Sequence, residues 1–405
     1  MAVPAVATDV AAGLGARREL VRLCAAGSLA YCSYAVCRAP LLPLFARELG
    51  ADARLIGVIV SASTVTGIVG KLPAGAWSDV LGRRALLVAG AAVFAVMPFA
   101  YLAVSAVSLL IAVRVLHGSA TAIFGPVASA SLSDVAPAHR RATWLSAYST
   151  AQGTGQAIGP VLAGYAISMG RFDLAFLFAG VIGICTPPIV WRWPIGTPQP
   201  RVGRRSSMRQ LRDGIREVAR ERRVLAASLA QSAQFFLNGS LTAFLPLYAG
   251  EVVGLGATAI GWMFAMQTLT TLSTRPVIGA VSDRIGRREV IVTGLGTCSA
   301  AVWMMSTAAS GSVLIAAVVA YGAGVAVTTA ATSAYVTDVA PRARYGAAHG
   351  VFGTIYDIGD AAGPIVAGFL VAAWGYTPMF QTIAVVAIAA AALFSVVSAA
   401  DERGA

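Results

Sequence analysis

Twelve apolar runs, each about 20 residues long, dominate this chain, and that is the length at which a helix crosses the hydrocarbon core of a bilayer. They fall at residues 20–46, 54–78, 85–105, 107–133, 142–168, 172–192, 224–249, 257–281, 289–310, 312–337, 345–371 and 377–399. In lipid no water is present to bond backbone amides, so each run must satisfy its own N–H and C=O groups, which a helix does. Composition agrees. Of 405 residues, 57% are hydrophobic and 12% charged, about half the charge that a soluble domain carries. The chain therefore reads as an all-α membrane protein.

Its charge is lopsided: 29 Arg, one Lys (Lys71) and 18 acids, a formal net charge of +12. In a soluble protein that balance would point to nucleic acid, but here position decides otherwise. Arg17, Arg18, Arg22, Arg83, Arg84, Arg140, Arg141, Arg284, Arg287, Arg288, Arg342 and Arg344 fall in alternate loops, on one side of the predicted membrane. The other side offers only Arg47, Arg54 and Arg171, each near an acid. The positive-inside rule then places both termini in the cytoplasm of a multi-pass protein of the plasma (inner) membrane. Anionic lipid headgroups are the expected counter-charge, with no nucleic-acid partner. The first 16 residues read as a flexible tail rather than a signal peptide, because the charges follow that stretch instead of preceding it. The apolar run behind Arg17-Arg18 is long enough to span, which favours an uncleaved first helix over a twin-arginine signal. Cys24, Cys32, Cys37, Cys185 and Cys298 all lie in apolar runs without metal-ligand spacing and read as packing residues.

A repeat organises the helices. At a constant offset of 204 residues, Gly57 matches Gly261, Gly118 matches Gly322, Asp134 matches Asp338, and Gly159-Pro160 recurs as Gly363-Pro364. The halves are 17–192 and 224–400, with a tail at 401–405. Between them, 193–223 is a basic linker with nine arginines, either an amphipathic helix over 206–222 on the membrane surface or a solvated loop. Two six-helix halves in parallel repeat form the arrangement that rocks about a midplane site.

The loops between helices 2 and 3 of each half carry Gly75-x-x-x-Asp79-x-x-Gly82-Arg83-Arg84 and Gly279-x-x-x-Asp283-x-x-Gly286-Arg287-Arg288. A glycine ahead of the acid permits close helix approach, and the second glycine permits a tight turn. This pattern resembles the signature of the major facilitator superfamily. The resemblance implies that family's fold, twelve transmembrane helices in two six-helix halves related by a pseudo-two-fold. It also implies a conformational latch in which Asp79, Arg84 and Asp134 interact, with Asp283, Arg288 and Asp338 as the second set. Arg114-Val-Leu-His117-Gly118 is similar to a family signature linked to proton transfer. An arginine at that depth faces a cavity or a partner, or else snorkels to the interface. Gly155-x-x-x-Gly159-Pro160-x-x-x-Gly164 resembles the family's antiporter signature, and Gly359-x-x-x-Gly363-Pro364-x-x-x-Gly368 repeats it. Generic close packing would use the same spacing.

Single polar residues inside the runs mark the expected pathway: Tyr31, Tyr34 and Arg38; Gln152 and Gln156; Gln231, Gln234 and Asn238; and His349, Tyr356, Asp357 and Asp360. A carboxyl group at mid-depth is tolerated when paired with a cation or neutralised by a proton, which is what a proton carrier needs. Arg38 and Arg114 are the expected cationic partners of Asp357 and Asp360. Phe235, Phe236, Trp262, Tyr335 and Phe352 read as packing, and His117 and His349 as packed polar residues. Metal and cofactor are not expected. Three scattered histidines and no nucleophile motif disfavour a membrane enzyme. A monomeric, proton-coupled exporter of small organic molecules is the leading expectation, and an uptake permease or uniporter for an anionic metabolite the alternative.

Overall fold

A computed structural model describes residues 4–193, 221–341 and 345–402; the linker helix considered at 206–222 falls almost wholly outside them, and so do Arg342 and Arg344. The helices are α1 (Pro4–Val36), α2 (Leu41–Glu48), α3 (Ala53–Leu81), α4 (Arg83–Ala100), α5 (Val107–Val135), α6 (Arg141–Ser168), α7 (Phe172–Ile184) and α8 (Thr186–Trp191). After the linker come α9 (Arg222–Glu251), α10 (Ala257–Ile285), α11 (Arg287–Ser306), α12 (Gly311–Val339), α13 (Tyr345–Trp374) and α14 (Tyr376–Glu402). Nine spans among the described residues are long and apolar enough to cross a membrane. The three long helices that fall short, α6, α9 and α10, carry glutamines and an asparagine in their middles.

At the start of the chain two boundaries differ from the sequence reading. Helix α1 already runs from Pro4, where a flexible tail is expected. The first apolar run is two helices, broken between Val36 and Leu41. Pro40 lacks a backbone donor and disfavours helix at the residue before it, so the chain turns there.

The 204-residue repeat is visible in the helix starts: α3 and α10 begin at 53 and 257, α5 and α12 at 107 and 311, α6 and α13 at 141 and 345. The turn after α3 and its copy after α10 each pass through a glycine with positive φ, Gly82 at 88° and Gly286 at 110°. A side chain would be strained at either.

One apolar cluster is shared by both halves. Leu41, Leu42, Ile56 and Ala163 pack there with Leu241, Phe244, Tyr248, Ile260 and Ala367, all buried. These residues lie at the end of the bundle where α3 and α10 start. Toward the opposite, arginine-bearing loops the cores are separate. Leu87, Phe124, Leu132 and Tyr148 belong to the first half only, and Ile291, Leu295, Val336 and Phe394 to the second only. The halves are thus sealed together at one end and parted at the arginine-rich end.

The glycine motifs make the seal. A Cβ on Gly155 would lie 2.1 Å from the Ser28 carbonyl oxygen, and one on Gly359 2.2 Å from that of Ser232, so both brace their helix within its own half. Gly159 presses on the α1 backbone at Ala35 and Val36, as Gly363 presses on α9 at Phe236. The last glycine of each motif faces the other half: Gly164 meets Ala257 O and Gly368 meets Ala53 O, both at 2.5 Å. The carbonyls of Pro160 and Pro364 likewise approach Gly261 and Gly57. Just outside this seal Arg47 Nε donates to Glu251 Oε1 at 3.1 Å, with Tyr376 Oη donating to Oε2 at 2.7 Å. Arg47 and Glu251 are 204 residues apart, the same place in the two halves, so their contact lies close to the pseudo-two-fold axis.

Candidate solute cavity

A cavity of about 650 Å³ lies between the halves, within the usual range for a small organic ligand. Of the residues singled out in the sequence, Tyr31, Tyr34, Arg38, Gln152, Gln156, Asn238, Tyr356, Asp357 and Asp360 line it. Four are not on its wall.

Asp360 is the best-connected of the lining groups. Its Oδ2 accepts from Arg38 Nη2 at 3.3 Å and from Thr64 Oγ1 at 3.2 Å, and its Oδ1 from Asn238 Nδ2 at 3.3 Å. The break after Val36 is what turns Arg38 into the cavity. Asp357, one turn earlier on α13, accepts from Lys71 Nζ of α3. Each pair joins a cation of the first half to an acid of the second. Both aspartates are less than 10% exposed, so an unpaired charge on either would cost several kcal/mol. Ser61 Oγ adds a bond across the same seam, donating to Ala361 O at 2.6 Å. Tyr356 stacks on Phe235, centroids 4.5 Å apart, and together they supply an aromatic wall.

Several expectations need correction. Arg114 is not a partner of the carboxylates. It is fully buried inside the first half, where Nη1 donates to Tyr101 Oη at 3.3 Å, Nη2 donates to Ser63 Oγ, and the guanidinium lies 5.7 Å from the Tyr34 ring centroid. Hydroxyls and a ring face stabilise the cation there in place of an acid. His117 belongs to the same cluster, with Nδ1 3.1 Å from Tyr101 Oη. Gln231 and Gln234 share a helical face with Asn238, but at their depth α9 packs against α12. Gln231 bonds Gln234 at 2.9 Å and Thr329 at 3.3 Å, and Gln234 reaches Tyr321 at 3.5 Å. His349 turns to Thr337 at 3.0 Å, also away from the cavity.

The arginine-rich loops also depart from the implied network. The first arginine of each pair, not the second, reaches the acid at the end of the neighbouring helix: Arg83 Nε to Asp134 at 3.2 Å and Arg287 Nε to Asp338 at 3.0 Å. Arg287 also pairs with Asp283 at 2.6 Å. Being first in its helix, it lies beside the preceding turn. The second arginine points elsewhere, Arg84 over the Trp191 ring at 5.0 Å and Arg288 to Ser395 O at 3.0 Å. All these links stay within one half. A Cβ on Gly279 would meet nothing within 4 Å, so that glycine is no close-contact site. The surroundings of Gly75 and the side chain of Asp79 lie outside what is described.

Sequence reasoning missed Lys71, Thr64 and the lining role of Phe235. A lone lysine inside an apolar run was the available signal for Lys71. Among the described residues no group of three or more His, Cys, Asp or Glu is placed to hold a metal ion.

The sequence profile of the Major Facilitator Superfamily matches residues 23–259 and 227–404. An MFS-type transporter of Methanocaldococcus jannaschii is 24% identical over 351 residues, 86% of this chain and 90% of that protein. Multidrug resistance protein 1 of Bacillus subtilis is 24% identical over 338 residues, 82% of this chain and 84% of its own length. Among solved structures, a bacterial homolog of the human lysosomal transporter Spinster, inward-facing and unoccupied, superposes with a TM-score of 0.81 at 16% identity, covering 95% of this chain and 97% of the other.

Proposed function

The chain belongs to the Major Facilitator Superfamily and is a multi-pass membrane transporter of small molecules, and on that premise we propose that it exports small organic molecules in exchange for protons. Alternating access takes place across the plasma membrane, with both termini in the cytoplasm and the arginine-rich loops on that side. The conformation described above is then closed outward and open inward.

The observation that carries the coupling is the pair of cross-half contacts, Lys71–Asp357 and Arg38–Asp360. Protonation of either carboxyl removes the charge attraction that ties the halves in this conformation, and rocking that separates the partners favours uptake of a proton. The same groups line the cavity, so a bound solute and a proton act on one set of contacts. Export is favoured by the similarity to a multidrug resistance protein and by the Gly155–Gly164 pattern, although its copy in α13 also serves packing.

The test is transport in inverted vesicles across a panel of solutes, with and without a pH gradient. The double variant Asp357→Asn, Asp360→Asn should still exchange solute at equilibrium but lose accumulation against a gradient. Accumulation that stays pH-driven at the wild-type level would place the proton site elsewhere. Uptake of an anionic metabolite, the alternative, would show the opposite direction of net flux in the same vesicles.

A further inference from the structure

The repeat shows a charge without a counterpart. On α3, Ser63, Thr64 and Lys71 line the cavity, and on α10 the same positions are Gln267, Thr268 and Arg275. Gln267 and Thr268 line it as well. Arg275 follows Thr268 by seven residues, two helical turns, so it lies on the same face about 10 Å nearer the arginine-rich end. Lys71 is neutralised by Asp357, whose repeat position on α6 is Gly153. No acid faces Arg275 there; Leu272 of its own helix packs on Gly153 instead. Arg275 is half-buried, it makes no ion pair or hydrogen bond among the described residues, and its Nε is shut off from solvent without a partner.

Arg38 and Lys71, on the cavity wall, are matched by Asp360 and Asp357. Arg275, on the same helical face as Gln267 and Thr268 but not itself on the wall, has no acid partner among the described residues. A half-buried guanidinium is a planar fork of donors suited to a carboxylate, and leaving it unpaired in a low-dielectric site is costly. The cavity wall offers aromatic surface among its polar groups, with Phe264 on α10 and Phe235 stacked on Tyr356.

We propose that Arg275 recognises the negative charge of the carried solute, which is an organic anion with an aromatic or apolar body. The proposal rests on the transporter reading of this cavity and names its substrate class. It divides labour between equivalent places in the two halves: Lys71, with its acid, serves the coupling proton, and Arg275, without one, serves the solute.

Equilibrium binding to the purified full chain in lipid nanodiscs tests this with two probes, 1-naphthylacetate and its neutral amide. Wild-type protein should prefer the carboxylate by about tenfold or more, the usual worth of one charge-assisted hydrogen bond. Arg275→Gln should erase the preference while holding the amide at its wild-type affinity, which shows the variant is folded, and Arg275→Lys should retain most of it. Two results overturn the proposal: a wild type that does not bind the carboxylate more tightly than the amide, whether it binds both or neither, or a preference that survives in Arg275→Gln. No gradient is used, so failure here leaves coupled export standing, and loss of coupling leaves this result standing.

Discussion

Replacing Asp360 by Asn should tip the protein away from the conformation described here. The acid holds Arg38 at 3.3 Å across the seam between halves. At an effective dielectric of about 20, two unit charges at that separation attract by about 5 kcal/mol. Desolvation and side-chain ordering take back most of it, and Arg38 is 29% exposed, which screens the pair further. About 2 kcal/mol remains, a population shift of about 30-fold. Asn at 360 can still bond Thr64 and Asn238, so the loss is specific to the charge. Spin labels at Ser146 and Gly350, exposed repeat-related positions on α6 and α13 near the parted end, report the change as a distance distribution by electron–electron resonance. A label at Gly350 is sterically free, since a Cβ there meets nothing within 4 Å. Asp360→Asn should enrich the shorter distance. Arg38→Met combined with Asp360→Asn should shift it by less than the two single changes multiplied, because the second removes the charge stranded by the first. An unchanged distribution in Asp360→Asn, or strictly multiplicative effects, would refute the reasoning.

Three further outcomes are expected. Gly359→Ala and Gly155→Ala should each cost about 1–3 kcal/mol, because backbone oxygens at 2.2 and 2.1 Å cannot give way and the clash outweighs alanine's helix propensity; thermal unfolding in detergent reads it, with Gly350→Ala as the clash-free control, which should be neutral to stabilising. Asp283→Asn and Asp338→Asn should slow transport while leaving insertion intact, by less than about 1 kcal/mol each at these half-exposed sites, and solute flux with cysteine accessibility measures it; wild-type turnover in both would remove the latch role. Reporter fusions at Gly203 and at the C-terminus should read cytoplasm and one at Gly254 the outside, and an external signal at Gly203 would invert the orientation.

Helix number, the two halves and the tight glycine contacts were legible because lipid leaves the backbone no alternative and because the repeat shows each feature twice. Asp357 and Asp360 were legible for a related reason, since a carboxyl in an apolar run needs a purpose. Their partners were harder. Sequence says which residues share a helical face, as Gln231, Gln234 and Asn238 do, but not which neighbour that face meets at each depth. Near Gln234 it meets Tyr321, and two turns from Gln231 Asn238 meets Asp360. Arg114 was misassigned because hydroxyl groups and a ring face hold its guanidinium in place of an acid, and Ser63, Tyr101 and Tyr34 give no sign of that in the sequence.

The contact between Arg47 and Glu251 has a consequence for assembly. Two residues that hold one place in a repeat can form an ion pair only if the repeats differ, because two copies of the same half would set like against like. A pair of first halves would bring Arg47 to Arg47, and a pair of second halves Glu251 to Glu251. The deeper seam obeys the same arithmetic, with Arg38 and Lys71 on one side and Asp357 and Asp360 on the other. Severed at the linker and produced as separate chains, the fragments should therefore reject self-association and recognise only each other.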